Sequence, residues 1–192
     1  MVNVWICSDL HFGHENILDY SKEARPFPNI DTHDAKLIQN WNSVVRPKDK
    51  VIVAGDFFVG PHTEEQIDEV MKQLNGEIEL IEGNHDSAFR KKILSKYIKK
   101  ISAYKVIREN KYDSIISHIP VHPQQLESRY KSNLHGHLHK HNVMIRTPWV
   151  DNAGNIVWDT ELDQRYINVS MEQINLTPIN MDIIRQRIGD LP

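Results

Sequence analysis

The first half of the chain alternates short apolar runs with segments in which apolar residues recur at helical spacing. Val2–Ser8 and Lys50–Ala54 are mainly apolar, contain β-branched residues and are each followed by a polar loop, which predicts two buried strands. Between them, apolar residues at helical spacing follow a candidate N-cap at Asp31-Thr32. This pattern predicts a helix from about residue 32 to 45.

A second helix and a third strand continue the alternation. The segment Thr63–Gln66 matches a capping box, an apolar stripe runs through residues 67–74, and Gly76 predicts the end of the helix. Glu77–Ile81 alternates as a third strand, and a polar loop then leads to a basic helix over about residues 87–97. The order β, α, β, α, β, α is typical of strands covered by helices.

From Ile101 onward the pattern changes to short strands. The predicted strands are Ala103–Arg108, Ser114–Ser117, Ser132–His135, Ile156–Trp158 and Tyr166–Val169. Turns are predicted at Asn110-Lys111 and Asp151–Gly154, and a short helix over Asn180–Ile188. Because no repeat, low-complexity tract or Pro/Gly-rich linker divides the chain, we predict one α/β (α+β) domain over residues 1–192.

Composition and charge exclude several classes of protein. The longest apolar runs have four residues, and the N-terminus lacks the pattern of a signal peptide, so we expect neither a membrane span nor a secretory signal. The single cysteine, Cys7, cannot form an internal disulfide. A net charge of −3 offers no bulk surface for nucleic acid or an anionic membrane. We therefore expect a cytoplasmic protein without a stable nucleic-acid or membrane partner, and its oligomeric state is left open.

Histidine is unusually frequent, with 11 residues in 192, and several of these residues lie in polar motifs that follow predicted strands. The motifs are Asp9-Leu10-His11, Gly55-Asp56, Gly83-Asn84-His85-Asp86, Ser117-His118 and Gly136-His137-Leu138-His139. Ligand sites of open α/β sheets gather at the carboxyl ends of strands. The motifs contain more potential metal ligands (carboxylates, imidazoles and an amide oxygen, here called donors) than one tetrahedral ion needs, and none is a thiolate. Two ions that share a carboxylate would account for this number.

The five motifs, in this order, resemble those of the calcineurin-like metallophosphoesterases. The resemblance covers residues 9–139 and implies a two-sheet β sandwich flanked by helices, with a dinuclear metal site at the carboxyl ends of the strands. It assigns one ion to Asp9, His11, Asp56 and His139, and the other to Asp56, Asn84, His118 and His137. His85 is implied as the catalytic residue that protonates the leaving oxygen or stabilises charge on the phosphoryl group.

The resemblance implies hydrolysis of phosphoesters by a metal-bridging hydroxide. Imidazole and carboxylate donors suit manganese, which we expect first, and also iron, zinc, nickel or cobalt. The second motif continues as Phe57-Phe58-Val59-Gly60 and lacks the carboxylate and arginine of the protein Ser/Thr phosphatases. This departure favours phosphodiesters of small or nucleotide-like substrates. The alternatives are a phosphomonoesterase or nuclease of the same fold, or a non-catalytic metal-binding scaffold.

Several residues around the motifs have a functional and a structural interpretation. His14, Arg25 and His122 are candidate substrate-binding residues, whereas the alternatives are a solvent-facing loop, an extended connector and a loop-stabilising role. Asp86 is a candidate for orienting His85, although adjacent residues rarely face each other. His135 and His141 are expected to be structural, and His33 and His62 to lie at the surface near helix starts.

Overall fold

The secondary structure is given by a computed structural model that describes residues 2–108 and 112–191, so the predicted turn at Asn110-Lys111 lies outside the described residues. The strands are β1 (Val4–Cys7), β2 (Lys50–Val53), β3 (Glu77–Ile81), β4 (Ile98–Ser102), β5 (Tyr104–Arg108), β6 (Asp113–Ser117), β7 (Ser132–His135), β8 (Met144–Val150), β9 (Ile156–Leu162), β10 (Tyr166–Asn168) and β11 (Ile179–Asn180). The helices are α1 (Ile17–Tyr20), α2 (Ile30–Val44), α3 (Glu64–Met71), α4 (Ala88–Leu94), α5 (Gln124–Ser128) and α6 (Met181–Gly189), with a 3₁₀ helix at Met171–Gln173.

The strands of the first half form one sheet in the order β11-β1-β2-β3-β4. Strands β1 to β4 run parallel, and β11 is antiparallel to β1. Cys7 pairs with Val53, and Val53 pairs with Leu80, so the carboxyl ends of β1, β2 and β3 lie at one edge. The loops that carry the first three motifs therefore leave the sheet side by side.

The second sheet has the order β10-β7-β6-β5 and delivers the remaining motifs. Strand β7 is parallel to both β6 and β10, and β5 is antiparallel to β6. Ile116 of β6 pairs with Leu134 of β7. Because both strands end at the same level, His118 and the Gly136 motif emerge at one edge of this sheet.

Side chains that alternate along β1 and β2 enter two different layers of the core. The layer toward helices α2, α3 and α4 contains Cys7, Val51, Val53, Leu37, Trp41 and Ile67. The layer between the two sheets contains Ile6, Ile52, Ala54, Ile116, Leu134 and Ile167. The first sheet is thus covered on both faces, which explains its nearly continuous apolar strands. The predicted arrangement of two sheets flanked by helices is confirmed.

The helix boundaries differ from the predictions where tertiary contacts intervene. The N-cap of α2 is Asn29, whose side chain accepts a hydrogen bond from the Thr32 N–H, so the N-cap predicted at Asp31-Thr32 is wrong. Helix α3 begins with the predicted capping box but ends at Met71, five residues before Gly76. Asn42 of α2 binds backbone groups of residues 73 and 75 and holds this segment outside the helix. Within the part of the chain that the structure describes, no helix has both the length and the apolar character to cross a membrane.

Three strands were not expected from the sequence, namely β4, β8 and the two-residue β11. The predicted basic helix ends at Leu94, and Ile98–Ser102 then forms β4 at the edge of the first sheet, where Lys99 and Lys100 are exposed and obscure the alternation. Strand β8 contains Pro148, which disfavours a strand assignment except at an edge. It pairs with β9 across the predicted turn at Asp151–Gly154 to form a separate two-stranded sheet.

Candidate metal centre

The loops at the sheet edges hold many of the predicted ligands in a rare backbone conformation. Positive φ angles of 50° to 69° occur at five of these residues, Asp9, His11, Asp56, His137 and His139. Among the described residues, only two other non-glycine positions, Asn175 and Leu176, have positive φ. Such conformations cost free energy and cluster at functional sites, where the surrounding structure enforces them.

The first group of donors contains Asp9, His11 and His139. The Nε2 atoms of His11 and His139 lie 3.8 and 3.9 Å from Asp9 Oδ1. Asp56 Oδ2 lies 3.6 Å from His11 Nε2. Ligand atoms that are each about 2.0–2.2 Å from one ion lie roughly 3–4 Å from one another. The spacing of this group therefore suits a divalent cation.

The second group lies on the other side of Asp56. His118 Nε2 is 3.2 Å from Asp56 Oδ2 and 2.8 Å from Asn84 Oδ1. His137 Nδ1 approaches the same Asn84 oxygen at 2.9 Å. The structure thus brings all seven predicted ligands together, with Asp56 between the two groups. Asp9, Asp56 and His118 could also hold one metal ion together, because one ligand atom from each lies within 4.8 Å of the others.

The hydrogen bonds of the imidazoles test whether these residues fit a metal. His11 Nε2 is buried and has no hydrogen-bond partner, which is costly unless a ligand satisfies it. The Nδ1 atoms of His118 and His139 lie 2.8 Å from the Ala54 carbonyl and 3.0 Å from Glu172 Oε1, both of which accept hydrogen bonds. Each Nδ1 must therefore carry the proton, which leaves the Nε2 lone pair facing the other donors. The donor set fits divalent cations.

The electrostatics of the site keep its carboxyl groups ionised. Burial by itself would raise the pKa of Asp9 and of Asp56. The interactions with His11, and those of Asp9 with His139 and of Asp56 with His118, outweigh burial and lower the pKa of both carboxyls below the ordinary value. Both side chains are therefore carboxylates near neutral pH, as cation binding requires.

Glycines in the motifs allow loops to approach the ligands closely. A Cβ atom on Gly83 would lie 2.2 Å from Asp56 Oδ1, and one on Gly136 would lie 1.9 Å from Ser8 Oγ and 2.3 Å from Asp9 Oδ2. Any larger residue would displace these oxygens. The two glycines thus have a packing role at the carboxylates as well as a role in the turns.

His85 lies outside the two ligand groups and is exposed. Its ring centroid is 5.8 Å from that of His11, and its backbone N–H donates to Asp56 Oδ1 at 2.9 Å. Asp86 does not serve as its partner, because the Asp86 carboxylate accepts backbone N–H groups of Gly83, Asp56 and Phe57 at 2.8 to 3.2 Å. Asp86 therefore ties the third motif to the second.

The candidate substrate-binding histidines have different surroundings. His14 is half-buried, stacks on His11 and places its Nδ1 2.9 Å from His11 Nδ1. Burial and the neighbouring His11 lower the pKa of His14 to about 4, so its ring is neutral near pH 7. His122 is exposed and accepts the Gln124 N–H at the start of α5, as the loop-stabilising alternative expects.

Arg25 and His33 lie under the site. Arg25 has no exposed surface, and its guanidinium group binds protein groups, including Glu172 at 2.8 Å. His33 is also fully buried and lies 2.8 Å from Arg25, so its predicted surface position is wrong. Glu172, which contacts both Arg25 and His139, was missed because it follows β10, far along the chain from every motif. Nothing in its local sequence marks it as part of the site.

Comparisons with known proteins identify the family of the chain. The model of the calcineurin-like phosphoesterase superfamily domain matches residues 2–173. The uncharacterized protein MJ1445 of Methanocaldococcus jannaschii is 33% identical over 189 residues, which cover 96% of this chain and 90% of that protein. The gene 66 protein of Mycobacterium phage L5 is 30% identical over 173 residues, covering 76% of this chain and 82% of that protein.

A solved structure shows the same fold. The protein of unknown function AQ665 from Aquifex aeolicus superposes with a TM-score of 0.70 at 23% sequence identity, covering 97% of this chain and 99% of that one. The family match spans most of the chain and includes all five motifs. The chain therefore belongs to the calcineurin-like phosphoesterase superfamily, and this membership indicates a metal-dependent phosphoesterase.

Proposed function

We propose that this protein is a dinuclear metal-dependent phosphodiesterase that acts on small or nucleotide-like substrates. The position of Asp56 carries the proposal, because its Oδ2 lies 3.6 Å from His11 Nε2 and 3.2 Å from His118 Nε2. One carboxylate between two groups of donors suits cations about 3.5–4 Å apart. Asp9, His11, Asp56 and His139 would hold one cation, and Asp56, Asn84, His118 and His137 the other.

The residues of the site divide the chemical work. When bound, two divalent cations polarise phosphoryl oxygens and lower the pKa of water, so that hydroxide is available near neutral pH. Asp9 and Asp56 supply negative charge to bind the cations, and the anchored imidazoles orient their Nε2 atoms. His85, outside the ligand groups, donates a proton to the leaving oxygen of the ester. The exposure of its ring supports this role.

The segment after Asp56 supports a diester substrate. Phe57 and Phe58 are 0% and 1% exposed and belong to the core layer beneath the helices. This stretch therefore presents no arginine to a terminal phosphate, which carries more charge than a diester phosphate. Arginine is the residue best suited to bidentate recognition of a phosphate group.

Paired chromogenic substrates test the proposed activity. The purified chain is stripped of metal, reconstituted with Mn²⁺, Co²⁺, Ni²⁺, Zn²⁺ or Fe²⁺, and assayed with bis-p-nitrophenyl phosphate and p-nitrophenyl phosphate. We expect faster hydrolysis of the diester, with Mn²⁺ the best metal, followed by activity on members of a panel of cyclic and linear nucleotides. A preference for the monoester would support the phosphomonoesterase alternative. Inactivity with every metal would instead favour the non-catalytic scaffold.

The net charge of −3 supports a small substrate rather than nucleic acid. We propose a cytoplasmic enzyme whose one domain, over residues 1–192, needs no stable nucleic-acid or membrane partner. Titration of a fluorescent single-stranded oligonucleotide at several salt concentrations tests this expectation. Weak binding at every concentration agrees with it, whereas tight binding that falls steeply with salt would indicate a nuclease.

A further inference from the structure

A buried ion pair lies directly behind the first group of donors. Arg25 Nε donates to Glu172 Oε1 at 2.8 Å, and the side chains are 0% and 1% exposed. Arg25 follows α1, whereas Glu172 lies in the 3₁₀ helix after β10, 147 residues away along the chain. The pair therefore connects the first motif with the end of the second sheet.

Glu172 fixes the orientation of one proposed metal ligand. Its Oε1 also accepts the Nδ1–H of His139 at 3.0 Å, which leaves His139 Nε2 facing Asp9 Oδ1 at 3.9 Å. Carboxylates that bind the second nitrogen of a metal-binding histidine set its tautomer and ring orientation. The second oxygen of Glu172 is buried without a hydrogen-bond partner, so this carboxylate is committed to His139 and Arg25.

Arg25 holds the backbone of the first motif. Its two terminal nitrogens donate to the carbonyl oxygens of Asp9 at 2.6 Å and Leu10 at 3.1 Å. Asp9 has a φ of 57°, a conformation that needs such external support. His33 accepts a further Arg25 hydrogen bond at Nε2, and its Nδ1–H donates to Asp34.

We propose that Arg25 and Glu172 are positioning residues that set the affinity of the metal position formed by Asp9, His11, Asp56 and His139. This inference rests on the proposed function, because it requires cations at the two donor groups. The second metal position, formed around Asn84, His118 and His137, receives no hydrogen bond from the pair. Disruption of the pair should therefore weaken one position selectively, by about 10–100-fold.

The alternative is that the pair only stabilises the fold. Asp163 offers a matched control, because this buried carboxylate is 2.7 Å from Arg165 in an ion pair with no contact to the site. A purely structural role predicts the same result for Glu172→Gln and Asp163→Asn, namely a lower melting temperature and unchanged metal affinity of the folded protein.

The test measures Mn²⁺ binding to the full chain by isothermal titration calorimetry. The His118→Ala variant lacks a ligand of the second position, so Mn²⁺ binding to it reports on the first position. The His139→Ala variant lacks a ligand of the first position and reports on the second. We expect Glu172→Gln to raise the Mn²⁺ dissociation constant about 10–100-fold in the His118→Ala background and less than threefold in the His139→Ala background. Asp163→Asn should change neither value. Circular dichroism at the same temperature verifies that each variant is folded.

Three outcomes separate the inference from the proposed function. The inference would be overturned if Glu172→Gln left the Mn²⁺ affinity unchanged in the His118→Ala background. It would also be overturned if Glu172→Gln lowered the Mn²⁺ affinity equally in both backgrounds. If Glu172→Gln does not fold, Arg25→Lys decides by the same comparison, because lysine keeps the charge but cannot bind both carbonyls and Glu172 together. A wild-type chain that binds fewer than two Mn²⁺ ions would instead contradict the dinuclear function.

Discussion

At the scale of single residues, the proposed metal centre combines suitable ligands with a strained backbone and close packing. Asp9, His11 and Asp56 have φ angles of 55° to 57°, and Gly83 and Gly136 leave room beside the carboxylates. A positive φ angle at an aspartate or histidine would be unfavourable in an ordinary loop. Together, these φ angles and the space beside the glycines direct the Asp and His side chains toward a common centre.

His85→Ala tests the proton donor. Because the His85 side chain lies outside both ligand groups, we expect the variant to bind two Mn²⁺ ions while kcat falls about 10²–10⁴-fold. Calorimetry and diester hydrolysis measure the two effects. His141→Ala, which removes another exposed histidine, is the matched control and should retain wild-type activity. Loss of metal binding in His85→Ala, or full activity, would contradict the assignment.

Gly136→Ala tests the packing around Asp9. The added Cβ would lie 2.3 Å from Asp9 Oδ2, so the carboxylate must move. We expect the Mn²⁺ dissociation constant to rise by about tenfold or more, as for other disruptions of ligand orientation. Gly189→Ala serves as the control, because its nearest neighbour would be the Tyr112 hydroxyl at 4.0 Å. Equal affinities of the two variants would argue against this packing role.

At the scale of secondary-structure elements, stability comes from side chains that join one element to another. Trp41 of α2 is fully buried against the first sheet, and its Nε1–H donates to the Asn75 carbonyl before β3 at 2.8 Å. Asp49, just before β2, accepts hydrogen bonds from Asn3, Trp5 and Arg46. The Trp41 contact thus attaches α2 to the segment before β3, and the Asp49 contacts attach the first strand to the start of β2.

Trp41→Ala should destabilise the fold by about 3–5 kcal/mol, because it leaves a large cavity in the core. Trp41→Phe should cost less, since it keeps most of the apolar contact and loses the hydrogen bond to Asn75. Urea unfolding at equilibrium measures both free energies. Tyr20→Ala, at a side chain that is 68% exposed, should change stability by less than about 0.5 kcal/mol. Comparable losses at Trp41 and Tyr20 would refute this packing argument.

Asp49 should make the free energy of unfolding depend on pH in the acid range. The Asn3 backbone N–H, the Trp5 indole and the Arg46 N–H lower the pKa of Asp49 from 3.8 to about 2. Because the pKa is lower in the folded state, the contribution to stability is complete above the unfolded value and is lost as pH falls toward about 2. The stability difference between wild type and Asp49→Asn, measured by urea unfolding, should therefore shrink between about pH 5 and pH 2. Asp159→Asn, at an exposed position of β9, is the control for removal of a surface carboxylate.

At the scale of the whole molecule, the centre joins the two sheets. Asp9, Asp56 and Asn84 follow strands of the first sheet, whereas His118, His137 and His139 follow strands of the second. Bound cations would therefore crosslink loops that the core already brings near each other. Ligand binding to the folded state alone stabilises it by mass action.

Metal addition should raise the melting temperature. At 100 times the dissociation constant, one bound ion contributes about 2.7 kcal/mol, which corresponds to roughly 5–10 °C for a chain of this size. Differential scanning fluorimetry with chelator and with Mn²⁺ measures the shift. Asp56→Asn, which removes the shared carboxylate, should abolish most of it. A shift of equal size in Asp56→Asn would show that the stabilising ion binds elsewhere.

The sequence by itself determined the elements and donors that depend on neighbouring residues. The alternation of strands and helices, the capping box at Thr63 and the turn at Asp151 are local patterns, and the structure contains them. The motifs could be located for the same reason, since each directly follows a strand, whereas the division of their residues between two ions came from the resemblance to the calcineurin-like phosphoesterases. Parallel pairing brings the strand ends of each sheet to one edge, and the packing of the two sheets then brings the two edges together.

Only the tertiary structure decided the features that depend on distant contacts. Arg25 was expected to bind substrate or to lie in an extended connector, and His33 to lie at the surface. Both side chains, and Glu172, acquire their environment only when segments 147 residues apart meet behind the first donor group. Strand β4 and the shortened α3 likewise depend on pairing with β3 and on contacts from α2. Local preferences are worth fractions of a kcal/mol per residue, so packing and burial override them wherever the two conflict.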